Sequence, residues 1–136
     1  MDAIMWEPGW NYIGDEATDL QLEKISNGSN WIIEGYITKK ARTFLFHKAD
    51  TIIYLDYSSF TSCWRYLQRC WKHRRNPRPE LIGSPEKFSL KFLILIWNRG
   101  EAVLLEKHLL TVLDQSKIIR LYSTKEADVL LQNIYC

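Results

Sequence analysis

The stretch Ala49-Asp50-Thr51-Ile52-Ile53-Tyr54-Leu55-Asp56 decides the fold, because it is an apolar run closed by a carboxylate. Its apolar residues do not alternate with polar ones. That predicts a strand over Thr51 to Leu55 buried on both faces, as in a parallel sheet. From Ser59 to about Arg74 the periodicity changes. Phe60, Cys63, Trp64, Leu67, Cys70 and Trp71 recur at helical spacing, and Arg65, Arg69 and Lys72 fall on a different face. The segment closes in a cationic loop, Lys72-His73-Arg74-Arg75-Asn76-Pro77-Arg78-Pro79. Between Asp56 and Glu80 there is no acidic residue, against six Lys or Arg and one His. The whole chain carries a net charge of only +2, so its positive charge is concentrated here. Such a concentration usually marks where an anion goes.

The same alternation of elements extends outward in both directions. Upstream, Trp31-Ile32-Ile33-Glu34-Gly35 reads as a second buried strand, and Thr38 to Lys48 as a helix. Asp15 to Ser26 reads as an earlier helix with acids in its first turn, stopped by Asn27-Gly28, and Pro8-Gly9 as a turn. Downstream, Ser84-Pro85 carries the N-cap and first-position signals of a helix running to Trp97. Asn98-Arg99-Gly100 interrupts it, and another helix follows over 101–113. Lys117 to Leu121 reads as a third strand. Ser123-Thr124-Lys125-Glu126 is a capping box that opens the last helix. The expectation is one α/β layered domain with a mainly parallel sheet, whose ligands sit beyond the carboxyl ends of the strands.

Composition bounds the rest. A chain of 136 residues, 46% of them hydrophobic, suits one folded domain. Three cysteines are too few and too scattered for a disulfide framework or a four-ligand zinc site. Cys63 and Cys70 lie two helical turns apart and cannot bridge each other. All three read as buried thiols of a reducing compartment, which with no membrane-length apolar run and no leader-like segment points to the cytoplasm and to no membrane partner. His47, His73 and His108 do not sit at ligand spacing with cysteines or acids, so no metal site is assigned.

One ordered set of short pieces goes further. It comprises Asp2 with Trp6, Pro8, Gly9 and Trp10; Trp31 to Gly35 with Tyr36; Ala49 to Asp56; Arg65 and Arg69; Arg78-Pro79; Gly83-Ser84-Pro85-Glu86-Lys87; and Trp97-Asn98. In this order the set resembles P-loop kinases of the adenylate-kinase type. More narrowly it resembles the small bacterial family of DNA topology modulation (FlaR-type) proteins. The resemblance implies a three-layer α/β/α P-loop domain, ATP with magnesium, and transfer of the terminal phosphoryl group. Such kinases cradle the phosphates with G-x-x-x-x-G-K-S/T, and this sequence contains no such motif. The resemblance therefore implies a domain truncated at the N-terminus, missing the first strand, P-loop and first helix. The strands at Trp31–Glu34 and Thr51–Leu55 should then flank a gap or pair directly.

The resemblance also assigns roles. Arg65 and Arg69 would contact the base or sugar and the phosphate; the competing reading is a solvated helix face. Arg74, Arg75 and Arg78 would form the catalytic side of a basic lid over about 72–84, or else a loop that binds anions loosely. Glu34 would order magnesium-bound water, or cap a nearby helix. Ser123 and Thr124 would edge the base pocket, although the capping box alone explains Ser123. Asp2, Trp6, Trp10 and Tyr36 would line the acceptor side, against the alternative of aromatic core packing. Asp56 is read as structural. Three functions remain open: a nucleoside-triphosphate-binding kinase-like protein, inactive as this chain without its cradle; a non-enzymatic nucleic-acid binder using the basic 65–78 stretch; and a vestigial fragment, oligomeric or completed by a partner chain.

Overall fold

Leu22, Ala41 and Leu45 bury completely or nearly so, and Ile4, Trp31, Ile33, Ile37 and Phe44 pack against them. The computed structural model describes residues 1–75, 78–81, 83–112 and 114–135, without the side chains of Glu80 and Tyr135. The fold is mixed α/β. Among the described residues the strands form two sheets of two strands each. The chain divides into two compact units, Met1–Lys48 with Gln68–Phe88, and Ala49–Leu67 with Ser89–Cys136.

The first unit opens with a short helix α1 (Asp2–Met5) and an antiparallel hairpin of β1 (Trp6–Glu7) and β2 (Asn11–Tyr12). The intervening turn places Gly9 at φ 86°, which glycine adopts without strain, and Trp10 at φ 64°, a left-handed conformation uncommon for a bulky residue. Helices α2 (Asp15–Ser26) and α3 (Lys39–Lys48) then form the core. Thr38 starts α3: its hydroxyl accepts from the Ala41 amide at 3.1 Å and donates to the buried Asp19 carboxylate.

The second unit is built on β3 (Ile52–Leu55) and β4 (Ile118–Leu121), paired in parallel with Ile52 opposite Ile118 and Leu55 opposite Leu121. The Asp56 amide donates to the Leu121 carbonyl at 2.8 Å and extends the ladder by one bond. Helix α4 (Ser59–Lys72) follows β3, and the boundary between the two units falls inside it. Helices α5 (Leu90–Asn98) and α6 (Gly100–Leu109) are separated by Arg99, which takes a left-handed conformation. Helix α7 (Thr124–Tyr135) ends the described chain.

Several expectations are corrected. Trp31 to Glu34 forms no strand; Trp31 and Ile33 turn into the helical core while Ile32 is 95% exposed. An apolar run whose residues reach a core on one side only has no need of a ladder. β3 pairs with β4 and not with that segment. It is not covered on both faces either: Tyr54 is buried but Ile53 and Leu55 are exposed, because two strands alone cover one face. Ser84 does not cap a helix. Helix α5 begins at Leu90, with the Ser89 hydroxyl accepting from the Phe92 amide. The expected helix end at 113, parts of the lid segment (76, 77 and 82) and the Cys136 thiol lie outside the described residues. Cys70 is buried, whereas Cys63 is only half-buried.

Candidate anion site

The basic segment and the N-terminus converge in the first unit. Arg69 lies near the end of α4, and the Glu86 amide donates to the His73 carbonyl at 3.4 Å, tying residue 86 to the helix end. Glu86 Oε1 lies 3.2 Å from Arg69 Nε and 3.1 Å from Arg78 Nη2. The second interaction of Arg78 is a hydrogen bond from Nη2 to Asp2 Oδ2 at 2.8 Å. Asp2 is the first residue of α1, where a carboxylate suits the helix dipole. Arg69 Nε, Arg78 Nε and Glu86 Oε1 are all out of contact with water. Two guanidinium groups and two carboxylates thus form one chain of charge, Arg69–Glu86–Arg78–Asp2, drawn from three distant parts of the sequence.

Beside this chain, buried Ser84 pins the N-terminal turn. Its hydroxyl accepts from the Gly9 amide at 2.9 Å and the Trp10 amide at 3.2 Å. Trp10 Nε1 donates to the Pro85 carbonyl at 3.0 Å. Trp6 meets Trp10 edge-on, with ring centroids 5.6 Å apart. A cleft of about 230 Å³ opens here, lined by Ala3, Trp6, Glu7, Pro8, Pro79, Leu81 and Ser84. The arrangement offers fork-shaped cation donors next to an indole-walled hollow, a combination able to hold a planar or phosphate-bearing anion once a carboxylate gives way.

Of the residues singled out in the sequence, Asp2, Arg69 and Arg78 join this cluster, and Trp6 and Trp10 border the cleft or its turn. Arg74 holds its guanidinium 5.5 Å over the exposed Trp71 ring, and Arg75 is exposed. Glu34 is exposed and does not end a strand; Tyr36 is also exposed, with the Arg42 guanidinium 5.5 Å from its ring. Arg65, Ser123 and Thr124 belong to the second unit. Arg65 lies 5.2 Å over the Tyr57 ring. Ser123 makes the expected capping box, accepting from the Glu126 amide at 3.2 Å while Glu126 accepts from the Tyr122 amide at 2.9 Å. Thr124 is exposed at the start of α7. Glu86 stands in the Gly83–Lys87 piece that carries the resemblance, but sequence reasoning gives it no role.

The carboxyl ends of the parallel strands carry a second network. Asp56 accepts from Arg99 Nη2 and from Arg120 Nε, the latter at 2.9 Å, and Arg120 also pairs with Glu106. Burial acts to raise the Asp56 pKa, but the hydrogen bonds and charges of Arg120 and Arg99 outweigh it and hold the carboxyl below its usual range. Burial, with the Asp56 charge behind it, pushes the Tyr54 hydroxyl up. Arg120 lies between the Tyr54 and Tyr122 rings, 5.2 and 5.5 Å from their centroids. This network fastens β4 and α6 to the end of β3, which accords with reading Asp56 as structural.

Among the described residues no group of three or more His, Cys, Asp or Glu stands close enough to hold a metal ion, and no helix is long and apolar enough to cross a membrane. Comparison with protein-family models, with curated proteins and with solved structures found no match to this chain.

Proposed function

We propose that the chain is a nucleotide-binding protein similar to P-loop kinases of the FlaR type, with Arg69 and Arg78 as its phosphate-binding arm and the Trp6–Trp10 turn as the wall of its acceptor side. The finer architecture belongs to the same proposal: a three-layer α/β/α P-loop domain in which β3 and β4 are neighbouring central strands. What supports this reading is one observation: Asp2, Arg69 and Arg78, assigned separately to the acceptor side, the nucleotide and the lid, are linked in one chain of ion pairs through Glu86. The fit to a triphosphate is partial. The arginine fork suits phosphate oxygens, but Glu86 and Asp2 already neutralise it, and the sequence carries no G-x-x-x-x-G-K-S/T to supply amides, lysine and the magnesium-binding hydroxyl. The chain alone therefore binds nucleoside triphosphate weakly and transfers no phosphoryl group. Isothermal titration with magnesium ATP tests this, with millimolar affinity expected, or about −4 kcal/mol. Micromolar, magnesium-dependent affinity overturns the part of the reading that rests on the absent cradle. No heat at saturating ATP overturns the nucleotide reading itself.

A second reading has its own observation. Trp71 is 80% exposed, Arg74 lies 5.5 Å from its ring, and Lys72 and Arg75 are exposed nearby in sequence. An open indole flanked by cations is a stacking platform for single-stranded nucleic acid. Binding of an oligonucleotide that weakens steeply with salt and falls with Trp71→Ala supports it. No binding at low salt rules it out.

A further inference from the structure

The second unit carries an open apolar groove among its described residues. Its walls come from Phe60, Trp64 and Leu67 of α4 and from Ile94 and Trp97 of α5, and it encloses about 340 Å³. It is a built feature, because α5 is fixed to α4 at two points. The Ser59 hydroxyl donates to the Trp97 carbonyl at 2.9 Å, and the Cys63 thiol donates to the Leu93 carbonyl at 3.9 Å. Phe60, Trp64 and Trp97 remain 71%, 55% and 59% exposed. A contiguous apolar patch of this size, the largest a typical monomer carries, is often functional.

We infer that this face pairs with the same face of a second copy of the chain. Two observations choose that occupant. The first is charge. Among the described residues no charged side chain lines the groove, so none of them attracts an anionic lipid or a nucleic acid there. In a twofold interface each patch meets itself, which a charged patch resists and an uncharged one permits. The second is area. Taking about 200 Å² for a whole aromatic side chain, the three exposed rings offer roughly 370 Å² per copy. Leu67 and Ile94, 39% and 51% exposed, bring this to about 500 Å², hence about 1,000 Å² for the pair, the lower bound of a specific dimer. The half-exposed Trp64 and Trp97 rings in the groove's walls give each copy aromatic surface to lay against the other. A weak dimer, with dissociation in the micromolar range, follows.

Sedimentation velocity of the full chain across the micromolar range tests the inference. The expected result is a reversible monomer–dimer equilibrium. Trp64→Glu or Ile94→Glu should raise its dissociation constant roughly 30-fold or more, as expected for central interface anchors. Leu104→Glu, at an exposed apolar position on α6, should leave the dimer intact. Circular dichroism confirms folding of each variant; if Trp64→Glu fails to fold, Ile94→Glu carries the test. A monomer at every concentration overturns the inference, as does a dimer indifferent to both substitutions. Monomers that bind uncharged phosphatidylcholine vesicles through Trp64 overturn it in favour of a lipid surface.

Discussion

Replacing Glu86 with Gln keeps the shape of the side chain and removes its charge, which leaves Arg69 and Arg78 facing a neutral amide. Breaking a fully buried ion pair costs about 3–5 kcal/mol. The Glu86 side chain is 6% exposed but that of Arg69 is 39%, so water recovers part of the loss, and about 2–3 kcal/mol is expected. For 136 residues unfolding together the entropy at the midpoint is about 0.29 kcal/mol/K, so Tm falls by roughly 7–10 °C. The same substitution removes the carboxylate shared by Arg69 and Arg78, so an added anion no longer has to displace it. At ten times its dissociation constant, tripolyphosphate stabilises the folded chain by about 1.4 kcal/mol, or roughly 5 °C. In the wild-type protein the anion must first displace Glu86, so its shift is smaller. Urea denaturation measures the loss, and thermal melts with and without tripolyphosphate measure the recovery. An E86Q variant within about 0.5 kcal/mol of wild type refutes the energetic role of the ion pairs. A variant that responds to the anion no more than wild type refutes the anion site.

Three further outcomes follow from particular contacts. Asp56 has a folded pKa held below its unfolded value of about 3.9, so its contribution is present above that pH and is lost as pH falls toward the folded value. The stability gap between wild type and Asp56→Asn, read by urea titration, is therefore constant from about pH 5 to 8 and closes below about pH 4. Thr38→Val removes the cap of α3 and the partner of buried Asp19, and costs about 1–2 kcal/mol in the same assay. Gly83 sits at φ 81°, and a Cβ there would lie 3.3 Å from Pro8 Cβ, so Gly83→Ala lowers stability by about 1–2 kcal/mol and loosens the Trp10 turn, visible as a shift in tryptophan fluorescence.

How much was readable in advance depends on whether an element carries its own cause. Helix α2 is legible to the residue, because acids in its first turn and the Asn27-Gly28 stop bound a partly periodic stretch. The Ser123–Glu126 box and the strands β3 and β4 were readable for the same local reasons. Trp31 to Glu34 was not, since an apolar run looks alike whether it enters a sheet or lies against helices. Ser84 was misread because Ser-Pro signals a helix start, while its hydroxyl answers amides at Gly9 and Trp10 far away in sequence. The candidate site was half visible. Positive charge could be counted along the chain, and Asp2, Arg69 and Arg78 were named. The carboxylate that binds the two arginines, Glu86, is joined to them only by tertiary structure. The crowding of exposed aromatics on α4 was equally hidden, because helical spacing announces an apolar face without saying what covers it.

The Asp2–Arg78 bond, and the Gly9–Ser84 bond beside it, also set a clock. Both join residues more than seventy positions apart. During synthesis at about 5–20 residues per second, the first segment waits roughly 4–16 s for its partners to emerge. Helices α2 and α3 can associate during that wait, but the arginine cluster cannot exist until the segment through Glu86 has left the ribosome. The site is the latest-closing part of its unit, and a slow-decoding stretch placed after residue 86 gives it time to close.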